Sequence, residues 1–108
     1  MNIACTLTDK NLQTQHERWV ALAENHGVAR HEAPDGLRLT FEDHPAVEAE
    51  LEALVEVENA CCAWAEWSVE HDAGGALVMA ARSQGEGIPT LHGMFTLENA
   101  WEAARTRG

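Results

Sequence analysis

The hydrophobic period of this chain changes once between Leu37 and Cys62, and that change restricts what the chain can fold into. Leu37, Leu39 and Phe41 alternate with Arg38, Thr40 and Glu42, the two-residue period of a strand with one buried face. From Val47 onward the spacing is helical: Val47, Leu51, Leu54, Val55, Glu58 and Cys62 form one stripe, with Val57, Cys61 and Trp64 beside it. Asp43 can cap such a helix, and Pro45 is tolerated in its first turn. A helix over 45–63 is therefore expected, with both thiols in its last turn. A half-buried strand followed by an amphipathic helix calls for layered α+β packing.

The flanks extend the pattern. Residues 3–8 alternate briefly and read as a short strand. Thr8 or Asp9 then caps a helix over 9–26, where Leu12, His16, Trp19, Val20 and Ala23 recur at helical spacing and His26-Gly27 gives a stop. Residues 28–42 form a hairpin about Pro34-Asp35-Gly36, since Pro fixes its own φ and Gly accepts a positive one. Strands at 67–71 and 76–81 are joined by Asp72-Ala73-Gly74-Gly75. A last helical segment buries Ile88, Leu91, Met94 and Phe95, and 97–105 either continues it or forms a short helix around Trp101.

The order is thus β-α-β-β-α-β-β-α over a single domain, 1–108. It is a ferredoxin-like α+β sandwich with helices on one face of a mainly antiparallel sheet. In that topology the second helix ends near the end of the first strand, which would bring Cys5 toward Cys61 and Cys62.

Five segments carry a family resemblance: Cys5-Thr6-Leu7, Arg18-Trp19, Leu39-Thr40-Phe41, Glu58-x-x-Cys61-Cys62 with Trp64 and Trp67, and Gly85 to Phe95. Together they resemble a family of small bacterial proteins, common in actinobacteria, over residues 3–95. Other branches of that family resemble Cys-Cys-Pro-Phe at the centre, where this chain has Cys62-Ala63-Trp64 after Cys61. The resemblance implies a shared fold and no particular activity.

Charge excludes some partners. The formal net charge is −11, and between Leu39 and Ala81 there are ten Asp and Glu but no Lys or Arg. Such a surface repels phosphate backbones, so nucleic acid is not an expected partner. The apolar runs are only a few residues long, so no membrane span is expected. Neither is a signal peptide expected from Met1-Asn2-Ile3-Ala4-Cys5. A cytoplasmic location follows, and an odd count of three cysteines does not suit a secreted disulfide framework.

The chemistry concentrates in Glu58 to Trp67, which holds two of the three cysteines and two of the four tryptophans. Thiolates select soft or borderline metals, so Cys5, Cys61 and Cys62 together would suit a thiophilic metal or metalloid ion. Glu58, three and four residues before the thiols on the same helical face, could complete a mixed site, and His16 could add an imidazole. Adjacent helical cysteines point about 100° apart, so joint ligation requires the last turn to unwind.

The competing class is a non-enzymatic structural or interaction domain, homodimeric, whose cysteines pack as small hydrophobes. In it Glu58 pairs with Arg18 and His16 is a core histidine. Nucleophilic or redox catalysis fits less well, because a helix C-terminus beside Glu58 and Glu66 favours the neutral thiol. Gly85-Glu86-Gly87 lacks the phosphate-loop pattern. His26, His31, His44, His71 and His92 share no metal-ligand spacing, and a ligand pocket at Trp64 and Trp67 competes with core packing.

Overall fold

The computed structural model describes the backbone of residues 9–61 and 63–95, and the side chains of 14–60 and 63–95. The strand expected at 3–8, the segment 97–105 and the thiols of Cys5, Cys61 and Cys62 lie outside the described residues. The described elements are α1 (Asp9–His26), β1 (Gly27–Ala33), β2 (Gly36–Phe41), α2 (Pro45–Cys61), β3 (Glu66–His71), β4 (Leu77–Arg82) and α3 (Gly87–His92). They form an α+β fold, with the helices packed against an antiparallel sheet of order β1-β2-β4-β3.

Alternation along the strands sets the core face. Leu37, Leu39 and Phe41 of β2 and Leu77, Met79 and Ala81 of β4 are all within 1% of fully buried. They pack with Trp67 of β3 and with Val47, Leu51, Leu54 and Val55 of α2, the stripe that the helical spacing predicts. On the other face Glu70 gathers Arg82, Arg38 and Ser68 above Val78 and Ala80, which are also buried. Burial pushes the Glu70 carboxyl up, but the hydrogen bond from Arg82, its charge, Ser68 and Arg38 outweigh this and hold it below the usual range.

Strand placement departs from the ferredoxin-like expectation. In the split β-α-β arrangement the N-terminal strand lies beside the second strand of the hairpin. Here β2 is flanked by β1 and β4, so the C-terminal hairpin takes that central place. The position of Cys5 relative to the end of α2 lies outside the described residues.

Gly36 also differs from its expected role. Its φ is not positive; instead its backbone lies so close to Ala81 that an added β-carbon would run into that residue's carbonyl. Positive φ is used at Gly75, where Asp72 Oδ1 accepts from the amides of Gly74 and Ala76 to close the β3–β4 turn. Of the last helical segment, only Gly87–His92 is helix, and Phe95 has φ 55°.

Candidate functional site at the end of the central helix

Helix α2 runs down the core face and carries Glu58 in its last turns, inside the apolar stripe. Glu58 is only 6% exposed. Its Oε2 accepts one bond from Gln15 Nε2 and one from Trp19 Nε1, each 2.9 Å long. Gln15, also 6% exposed, donates in addition to the carbonyl of Leu54 at 3.1 Å. Both donors to the carboxylate are neutral groups of α1, and among the described residues Glu58 has no cationic partner.

Burial of Glu58 agrees with its place in the stripe; its partner is not the expected one. Arg18 turns instead to Glu50, giving a bidentate pair with Nε–Oε2 3.0 Å and Nη2–Oε1 2.7 Å. The hydrogen bond to Glu50 raises the Arg18 pKa, burial opposes it, and the Glu50 charge adds to the rise. The physical reason is phase. The buried line of α1 is Gln15, Trp19, Leu22 and Ala23, so Arg18 lies to one side of it, level with Glu50 a little over two turns before Glu58. His16 follows Gln15 by about 100° and is exposed, so it does not join the core stripe assigned to it.

An aromatic chain walls this end of the helix. Trp19 meets Phe95 edge-to-face at 4.9 Å between centroids, Phe95 meets Trp67 at 6.2 Å, and Trp67 meets Trp64 at 6.3 Å. Such pairs contribute about 0.5–1.5 kcal/mol each beyond area burial. The helix end is also pinned to β3, because the Asn59 amide donates to the Trp67 carbonyl at 2.9 Å and accepts from the Trp67 N–H at 3.1 Å. Ser83 Oγ donates to the Trp64 carbonyl at 2.8 Å. The indole N–H of Trp64 is buried and has no partner among the described residues. An open cleft lined by Asp35, Trp64, Glu66, Arg82, Ser83 and Gln84 borders this loop.

Of the residues assigned to a site from sequence, Glu58 is thus found buried beside Trp19, and His16 is found at the surface. Helix α2 is described as far as Cys61, and Ala63, the expected last residue, lies in the following turn. Gln15 was the residue that periodicity missed, since an amide inside an apolar stripe leaves no hydrophobic signal. Among the described residues no helix is long and apolar enough to cross a membrane. Comparison with protein-family models, with curated proteins and with solved structures yields no match to this chain.

Proposed function

We propose that the protein binds a thiophilic metal or metalloid ion at the C-terminal end of α2, through Cys61, Cys62 and Glu58, with Cys5 as a third thiolate. One observation carries this reading. A carboxylate is buried one turn ahead of two adjacent cysteines, and among the described residues the donors that meet it are an amide and an indole. Burying a carboxylate costs several kcal/mol unless charge compensates it, and a bound cation would supply that charge. Both hydrogen bonds from the described residues go to Oε2 and would orient the group, as the outer partners of metal-ligating carboxylates do, with Oε1 then offered to an ion.

Ligation of one ion by both sulfurs requires the helical turn that carries them to unwind, because regular helical neighbours point about 100° apart. Sulfur ligands select the soft ions, and the aromatic chain from Trp19 to Trp64 would exclude water from them. A cytoplasmic location fits this use, because reducing conditions keep thiols free.

The test is titration of the intact protein with cadmium or mercuric ion, following the thiolate-to-metal ultraviolet band. Cys61→Ser, Cys62→Ser and Cys5→Ser should each weaken or abolish the band, and Glu58→Gln should lower the affinity. A band that never appears, or that survives each cysteine substitution unchanged, rejects the site and leaves a domain whose cysteines only pack.

A further inference from the structure

At the opposite end of α2, three side chains from separate chain segments converge. Asp43 lies in the connection from β2, Glu48 in the first turn of α2, and His71 at the last residue of β3. The sheet register makes this meeting. Phe41 pairs with Leu77 and Leu77 with His71, so the ends of β2 and β3 lie in one row across β4. His71 lies two and four residues beyond Val69 and Trp67 on the same strand, which places it with them on the helix side of the sheet.

Its Nε2 is 3.4 Å from Asp43 Oδ1 and 3.8 Å from Glu48 Oε1, and one ligand atom from each of the three residues lies within 4.8 Å of the others. Bonds from such nitrogen and oxygen ligands to a divalent transition ion are ~2.0–2.2 Å, so ligand atoms around one ion sit roughly 3.0–3.4 Å apart. Small rotations of these side chains, two exposed and one half-buried, close the difference.

Charge points the same way. Among the described residues Asp43 and Glu48 form ion pairs with His71 alone, and no Lys or Arg occurs between Leu39 and Ala81. With a neutral imidazole, two carboxylates are left to be balanced. We propose that Asp43, Glu48 and His71 form a site for a divalent first-row transition ion, held by one imidazole nitrogen and two carboxylate oxygens with water in the remaining positions. Hard oxygen ligands and imidazole favour manganese, nickel or zinc over the soft ions that thiolates select, so this site is chemically distinct from the one at the other end of the helix.

Manganous ion is the probe, because it disfavours thiolates and broadens nearby proton resonances. Added in substoichiometric amounts to the full chain, it should broaden the ring protons of His71 while those of His31 and His92 stay sharp. Electron paramagnetic resonance of free manganese then gives the affinity. Asp43→Asn, Glu48→Gln and His71→Gln should each weaken it about tenfold or more. Asp72→Asn and Cys61→Ser should leave it unchanged. Equal broadening of all exposed histidines, or wild-type affinity in Asp43→Asn and Glu48→Gln, overturns the proposal and leaves only diffuse attraction of cations to a chain of charge −11.

Discussion

Removing the Glu58 carboxylate should unfold this protein far more readily than removing its neighbour Glu56. Glu58→Ala takes the acceptor from two buried donors, the Trp19 indole and the Gln15 amide, each bonded at 2.9 Å. Gln15 keeps its bond to the Leu54 carbonyl through one amide hydrogen, but its other N–H and the Trp19 indole N–H both lose their acceptor. A buried donor left unsatisfied costs about 1–3 kcal/mol, and the cavity left by the side chain adds to it. The expected loss is about 2–4 kcal/mol, against a total stability of roughly 5–15 kcal/mol for a domain of this kind. Urea unfolding followed by far-ultraviolet circular dichroism, in excess chelator so that no ion contributes, reads the loss directly. With a slope of about 1–3 kcal/mol/M the midpoint should fall by about 1–2 M. Glu56 is exposed, and its alanine variant should stay within about 0.5 kcal/mol of wild type. Glu58→Gln retains an oxygen for the indole and should lie between them. Equal midpoints for the Glu58 and Glu56 alanine variants would refute the buried network.

Gly36→Ala should cost about 1–3 kcal/mol, read as a lower melting temperature, because its β-carbon meets the Ala81 carbonyl; Gly74→Ala, where the nearest atom is Asp72 Oδ1 at 3.4 Å, should cost little. The Arg18–Glu50 pair is bidentate but its side chains are 40% and 35% exposed, so a double-mutant cycle should return only about 0.5–1 kcal/mol, shrinking in high salt. For Glu70 the folded carboxyl is held below the unfolded one, so its stabilisation is present above the ordinary carboxylate pKa of about 4.3 and lost as the pH falls through the folded value. The stability gap between wild type and Glu70→Gln should therefore close in acid, and a gap that stays constant from neutral pH down to pH 2.5 would contradict this.

Local pattern made the elements legible, while anything set by the meeting of distant segments stayed hidden. The stripe Val47, Leu51, Leu54, Val55 and Glu58 gives both the burial of α2 and the odd position of Glu58, because helical phase is a property of neighbouring residues. The partner of Glu58 was not legible. Choosing Arg18 over Gln15 and Trp19 rests on charge, whereas the observed choice rests on the rotation of α1 about its own axis, which Trp19 and Leu22 set by packing. Strand order was hidden for the same reason: either hairpin can pair along β2, and the choice of β4 is made by register, not by local period. Asp43, Glu48 and His71 carry no spacing signal at all, and the absence of Lys and Arg between Leu39 and Ala81 was their only trace in the sequence.

Helix α2 keeps the two proposed sites apart, which makes each a control for the other. Glu48 and Glu58 are ten residues apart on one helix, and at ~1.5 Å rise per residue their backbones are separated by ~15 Å. No single ion can span that distance, since metal–ligand bonds are only ~2.0–2.3 Å long. Sites more than about 7–10 Å apart with no shared partner contribute additively, and Glu58 meets Gln15 and Trp19 while Glu48 meets His71. The ligand chemistry separates them again, with sulfur at one end and oxygen and imidazole at the other. A variant that silences one end without moving the other therefore reports on ligation alone, whereas a variant that weakens both has damaged the helix that carries them.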